Sequence, residues 1–108
     1  LNSRLERVLT FMEENCGDHL ELTSVAKVAH LSPSAFSKFF HKMTGKTFVA
    51  HRNVCRVREA CRLLIQTDNS VTEIAYRSGF ANLANFNRQF LREKRITPLK
   101  YRRLHNPP

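Results

Sequence analysis

Two groups of polar side chains, fifty residues apart, have the chemistry of hydrogen-bond readers. In GFANLANFNRQF (79–90), Asn85, Asn87 and Arg88 share a helical stretch whose apolar side needs only Phe86 and Phe90. In SPSAFSKFF (32–40), Ser34, Ser37 and Lys38 stand in the same relation to Phe36 and Phe40. An amide offers a donor and an acceptor together, arginine a rigid fork of donors, and lysine a point charge. Reactive chemistry has less support. His51 and Cys55 lie at i and i+4, but no third and fourth metal ligand follows at helical spacing. A packed, partly buried histidine is the expectation there, with no metal and no cofactor. The three glycines stand alone, so no phosphate-cradling loop forms. Cys55 and Cys61, on different faces of one helix, cannot pair, and a Cys/His nucleophile is equally unsupported. No catalytic residue is assigned, and the chain is not expected to be an enzyme.

Charge points to the partner. The 18 Lys and Arg outweigh the 9 Asp and Glu, for a net charge of +9. Residues 1–21 hold two arginines against five carboxylates, a balance of −3, and the remainder carries +12. A basic body implies a polyanion, by default nucleic acid. An anionic membrane surface is the rival, but no run approaches the ~18 apolar residues of a membrane span, and nothing resembles a signal peptide. An odd cysteine count with no paired framework suits a reduced, cytoplasmic setting. Beginning at Leu1 rather than Met, the chain is expected to be a fragment of something longer.

The elements that position these side chains are helical throughout, because the apolar spacing is three and four. Ser3 and Glu6 form a capping box for a first helix with the stripe Leu5, Val8, Leu9 and Met12, ended by Gly17. A short helix from about Leu22 carries Val25, Ala26 and Val28. Ser32-Pro33 starts a third, with Phe36, Phe39, Phe40 and Met43 inward and Gly45 at its end. A long helix over 47–66 buries Ala50, Val54, Val57, Ala60, Cys61 and Leu64. Ser70-Val-Thr-Glu73 is a second capping box, opening a helix with Val71, Ile74 and Ala75 inward. Asn82 caps the helix anchored by Phe86 and Phe90, Thr97-Pro98 starts a seventh with Leu99, Tyr101 and Leu104, and Asn106-Pro107-Pro108 is a tail.

The sequence repeats itself. Ser32, Phe36, Lys38, Phe40, Thr47, His51 and Arg52 fall on Asn82, Phe86, Arg88, Phe90, Thr97, Tyr101 and Arg102 at an offset of 50. Leu22, Thr23, Val25 and Ala26 fall on Val71, Thr72, Ile74 and Ala75 at an offset of 49, so the second copy's turn, which carries Gly79, is one residue longer. Each copy reads as short helix, tight turn, second helix: the helix-turn-helix plan. A helical solenoid needs at least three repeats. The expected fold is all-α, with seven helices in two helix-turn-helix subdomains, 1–46 and 67–108, joined by a connecting helix over 47–66. The reading helices are about 33–44 and 82–94.

The chain resembles the DNA-binding domain of the AraC/XylS family of bacterial transcription regulators. The resemblance is carried by Ser32-Pro33, Phe36, Phe40, Thr44-Gly45, Arg56, Ala60-Cys-Arg-Leu63-Leu64, Ile74-Ala75, Gly79-Phe80, Phe86, Arg88, Phe90, Thr97-Pro98 and Tyr101-Arg102. It covers about residues 20–103, and the chain departs from the family pattern at Asn85, Leu91 and Arg95, where tyrosine, lysine and glycine are usual. The resemblance implies sequence-specific binding of double-stranded DNA, with contact to RNA polymerase by many activators. It also implies that effector sensing and dimerisation sit in a separate domain, and that the Arg56 position is largely structural.

In a helix-turn-helix the second helix enters the major groove and presents its exposed side chains to base edges. The outward set of the first copy is Ser34, Ala35, Ser37, Lys38, His41 and Lys42; that of the second is Leu83, Ala84, Asn85, Asn87, Arg88 and Arg92. Arg88 is the stronger reader of guanine, since its fork makes two bonds where Lys38 offers a point charge. Either side chain has phosphate as its alternative. Ser34 and Ser37 either reach base edges or serve as capping or solvated hydroxyls. Leu83 and Ala84 suit a thymine methyl if exposed, whereas Leu83 has packing against a neighbouring helix as its other reading. Backbone binding falls to helix N-termini and to residues such as Lys42 and Arg92. Resemblance implies base or near-base contact at Ser34, Ser37, Lys38, Leu83, Ala84, Asn87 and Arg88. Arg52, Arg56, Arg58 and Arg62 on the long helix either touch phosphate or form a solvated face with salt bridges to Glu59.

At ~1.5 Å per residue, the long helix spans ~30 Å, close to the ~34 Å between successive major grooves on one face of B-DNA. That length suits two readers in adjacent grooves on one DNA face, an asymmetric site, and either a bend in the DNA or incomplete insertion of one helix. The rivals are a helical protein-interaction module with a basic face and an RNA binder. RNA readers usually expose aromatic rings for stacking, and here the core claims them.

Overall fold

The computed structural model describes residues 2–18 and 20–105; the expected tail, Asn106-Pro107-Pro108, lies outside them. The described residues form seven helices and no strand: α1 (Ser3–Asn15), α2 (Leu22–Val28), α3 (Pro33–Thr44), α4 (Phe48–Gln66), α5 (Val71–Arg77), α6 (Leu83–Lys94) and α7 (Pro98–His105). The chain divides into two compact units, Leu1–Cys55 and Arg56–Pro108, and the division falls inside α4. No helix among the described residues is long and apolar enough to cross a membrane.

In the first unit, α1 begins one residue earlier than its capping box implies. Asn2, extended at φ −94°, is the cap, and its side-chain oxygen accepts from the Leu5 N–H at 3.1 Å. Ser3 is already helical, so its hydroxyl cannot serve three residues on. Ser32 caps α3 as expected, accepting from the Ala35 N–H at 3.2 Å, with Pro33 in the first turn and Gly45 ending the helix at φ +75°. Val8, Met12, Val25, Ala26, Phe36, Phe40 and Phe48 are buried together. Two residues expected inward differ. Phe39 is half-buried, with the Arg4 guanidinium 5.9 Å from its ring centre. Met43 is 41% exposed, because it lies in the last turn of α3, beyond the cluster that covers Phe36 and Phe40.

The second unit packs Val57, Ala60, Leu64, Ile74, Ala75, Phe80, Phe86 and Phe90. Ser70 caps α5 through the Glu73 N–H at 3.1 Å, and Asn82 caps α6 through the Asn85 N–H at 2.7 Å. The α4 stripe departs from expectation at its start. Ala50 is exposed and Val54 half-buried, while Phe48, Cys55 and Leu63 are buried. Phe48, two residues before Ala50 and so on nearly the opposite side of the helix, packs in the first unit's core. Along α7, Tyr101 is half-buried and packs on the core, whereas Leu99 and Leu104 are exposed.

The repeat extends to single contacts. Phe36 and Phe40 stand 5.5 Å apart, Phe86 and Phe90 5.7 Å. His51 meets Phe40 edge-on at 5.4 Å, and Tyr101 meets Phe90 edge-on at 5.6 Å. Such aromatic pairs contribute about 0.5–1.5 kcal/mol each beyond their burial. His51 is thus the packed, half-buried histidine expected. Each turn also closes alike: the Leu31 N–H reaches the Ala26 carbonyl, and the Phe80 N–H reaches the Ala75 carbonyl, both at 3.0 Å. This bond across a helix end requires a left-handed residue, which is Gly79 (φ +105°) in one copy and His30 (φ +57°) in the other. The extra residue of the second copy is therefore Ala81, downstream of the Gly79 turn and outside it.

Candidate nucleic-acid interface

Burying the Phe pair of each second helix turns the opposite side outward. On α3, Ser34, Ser37, Lys38 and Lys42 are all exposed, while Phe36 and Phe40 are fully buried. On α6, Ala84, Asn87, Arg88 and Arg92 are exposed, while Phe86 and Phe90 are fully buried. Within each unit the candidate readers therefore lie on the solvent side of one helix. Leu83 stands apart. It is half-buried and packs against the second unit's core, so packing accounts for part of its surface and the remainder is accessible.

Asn85 was expected among the outward residues, and the structure gives it a different task. It is half-buried, and its Oδ1 accepts from Arg88 Nη2 at 3.1 Å and from Gln89 Nε2 at 3.3 Å. The sequence signal was present, an amide three residues before an arginine on one helix, but periodicity alone assigns no partner.

The arginines of α4 divide by role. Arg62 Nε and Nη2 grip Glu59 at 2.9 and 2.7 Å, and Nη1 donates to Gln66 Oε1 at 3.0 Å. The hydrogen bond from Arg62 holds the Glu59 carboxyl below its usual value, against a smaller opposing effect of burial. Arg52 Nη1 donates to the Leu20 carbonyl at 2.8 Å, with its guanidinium 5.5 Å from the Phe48 ring centre. Arg56 is buried. Arg62 thus forms the expected salt bridge with Glu59.

Electrostatics separates the two units. Residues 1–55 carry seven Lys and Arg against five Asp and Glu, and residues 56–108 carry eleven against four. The second unit thus holds most of the positive charge. The reactive side chains are turned away from solvent: Cys16, Cys55 and Cys61 are buried thiols. Burial pushes the Cys61 thiol above its ordinary value, with hydrogen bonding to Tyr101 a smaller effect of opposite sign. A raised thiol is a poor nucleophile at neutral pH.

Comparison with known proteins agrees with this geometry. A helix-turn-helix domain model matches residues 25–104. The regulatory protein PocR of Salmonella typhimurium is 34% identical over 105 residues, covering 97% of this chain and 35% of that protein. The DNA-binding domain of AdpA, solved in complex with a target DNA, superposes with a TM-score of 0.85 at 29% identity, covering 96% of each chain. An AraC-type transcriptional regulator from Chromobacterium violaceum has the same fold, with a TM-score of 0.89 at 24% identity over 98% of this chain and 95% of that one. The chain spans about a third of the length of the curated relatives it matches.

Proposed function

The chain belongs to the AraC/XylS family of helix-turn-helix transcription regulators, and from that premise we propose that it binds double-stranded DNA sequence-specifically, with α3 and α6 as its reading helices. The observation that carries the reading is the exposure of Ser34, Ser37, Lys38 and Lys42 on one helix and of Ala84, Asn87, Arg88 and Arg92 on the other, each set opposite a buried phenylalanine pair. Base edges or adjacent phosphates receive Lys38 and Arg88, phosphates receive Lys42 and Arg92, and the accessible part of Leu83 with Ala84 meets a thymine methyl. Both helices enter adjacent major grooves on one face of a single duplex, so the site is asymmetric and the DNA bends or one helix inserts incompletely. The tandem arrangement in one chain and the 19-residue helix α4 support this reading. The chain acts as a binding domain without catalysis, in the cytoplasm, and effector sensing, dimerisation and any contact with RNA polymerase belong to the longer protein.

Selection of bound sequences from random duplex, followed by footprinting and a bend assay, tests the proposal. Enrichment of one asymmetric sequence protected over two consecutive groove segments is the expected result. Protection of a single segment excludes simultaneous insertion; no enrichment returns the chain to the rival, a protein-interaction module with a basic face. If six to ten phosphates are neutralised, affinity falls by roughly 10³–10⁵ between 50 and 200 mM salt.

A further inference from the structure

The two reading helices differ at one position that decides how well an arginine can read. Arg88 Nη2 donates to Asn85 Oδ1 at 3.1 Å, and Gln89 Nε2 donates to the same oxygen at 3.3 Å. Two N–H donors converging on one amide atom identify it as the oxygen. Asn85 is half-buried, which restricts its rotamers, whereas Arg88 is exposed and would otherwise sample many. The bond uses one hydrogen of Nη2. The remaining Nη2 hydrogen, with Nη1 or Nε beside it, still forms a two-pronged edge, the arrangement that meets guanine O6 and N7.

In the first unit the equivalent pair is Ala35 and Lys38. Alanine has no side-chain acceptor and lysine has no planar fork, so nothing comparable can be built there. The second unit also carries most of the positive charge.

We infer that Asn85 is a positioning residue that holds the Arg88 guanidinium ready for a base edge, so that the α6 helix discriminates sequence through a preorganised fork while α3 presents a mobile charge at the matching place. This rests on the proposed DNA-binding function. Arg88 touches the base; Asn85 acts only through Arg88. Preorganisation removes part of the ordering cost of binding, and that gain appears only where the fork's geometry is used.

The test uses the 108-residue chain on the duplex it selects, on single-base variants of that duplex, and on non-specific duplex. Asn85→Ala is suitable because alanine favours helix more than asparagine does, and because the Asn82 cap bonds to the backbone N–H of residue 85, which the change retains. Arg88→Ala should flatten preference at one base pair by about tenfold or more. Asn85→Ala should flatten preference at that same base pair by about three- to tenfold, with affinity for non-specific duplex and the melting temperature unchanged. In the Arg88→Ala background it should add nothing. Asn85→Asp keeps the acceptor, so it should retain the preference while lowering affinity for all duplexes through repulsion from phosphate. The inference is overturned if Asn85→Ala leaves the preference intact, shifts all duplexes equally, or keeps its effect without Arg88, or if Asn85→Asp flattens the preference too. A wild-type chain that enriches no sequence overturns the proposed function and this inference together; one that does so while Asn85→Ala is silent overturns the inference alone.

Discussion

Arg52 and Arg102, fifty positions apart, each donate to a backbone carbonyl that lies just ahead of a short first helix. Arg52 Nη1 reaches the Leu20 carbonyl at 2.8 Å, ahead of α2. Arg102 Nη2 reaches the Thr67 carbonyl at 3.1 Å, ahead of α5, and its Nε reaches the Leu64 carbonyl in the last turn of α4 at 3.0 Å. In both units, then, one arginine ties the chain entering the helix-turn-helix to the helix after the reader.

Removing either clamp should therefore lower stability more than it lowers DNA affinity. Arg102→Ala takes the donor from two carbonyls at once, and losing bonds to a charged donor costs about 1.5–3 kcal/mol each before water compensates. Half exposure of Arg102 reduces this, so a net loss of about 1–3 kcal/mol is expected. Urea unfolding followed by circular dichroism measures it. A variant as stable as the parent would show that the clamp contributes nothing.

Backbone strain supplies a prediction of the opposite sign. His30 (φ +57°) and Arg95 (φ +66°) occupy left-handed conformations that Gly79 and Gly45 occupy in the matching copies. A side chain there costs roughly 1–2 kcal/mol relative to glycine, partly offset by the greater freedom of glycine in the unfolded chain. His30→Gly and Arg95→Gly should each stabilise by about 0.5–1 kcal/mol, and Gly79→Ala should destabilise by about 1 kcal/mol or more. The three urea midpoints, compared with the parent, decide the signs.

Helix existence was legible because its signals are local. Hydroxyl or amide caps at Ser32, Ser70 and Asn82, the glycine stop at Gly45 and the spacing of Phe36/Phe40 and Phe86/Phe90 all act within a few residues. The exposed readers followed, since burying a pair of phenylalanines four apart fixes which side of a helix faces water. Legibility failed where the outcome depends on distant chain. Phe48, Cys55 and Leu63 rather than Ala50 fill core places because the two units share α4, each packing on its own part. Leu83 leans on the core because a first-turn residue is covered or not by a neighbouring element, which periodicity does not specify. His30 carries only a weak local mark, since histidine enters the left-handed region more often than most residues but far less readily than the glycine of the other copy.

The Cys61–Tyr101 pair gives the second unit an alkaline sensitivity. Burial raises both groups, the thiol above 9.0 and the phenol above 10.0. In the unfolded chain each recovers its ordinary value and loses its proton sooner, so the native state holds more protons at alkaline pH. Stability from these groups is fully present below 9.0 and is lost as pH rises through the folded values. Cys61→Ser keeps a hydrogen-bonding group that does not titrate in this range, so its melting temperature should fall less between neutral pH and pH above 10.0 than the parent's does. Parallel falls in the two proteins would remove the thiol from the account.

Lys38 and Arg88 should separate in salt titrations as well as in sequence preference. Both are exposed on matching faces, but only Arg88 has a side-chain partner fixing its direction. A mobile lysine at a groove edge interacts with phosphate as a point charge, so Lys38→Ala should weaken binding to all duplexes about equally. It should also reduce the slope of log affinity against log salt by about 1. Arg88→Ala should instead act on one base pair, costing about 1–3 kcal/mol on the selected duplex and far less on duplexes already changed at that pair. Fluorescence anisotropy across a salt series, on the selected duplex and its single-base variants, yields both quantities from one data set. A Lys38→Ala loss confined to one base pair would place Lys38 on a base edge, as Arg88 is, and remove the contrast between the two side chains.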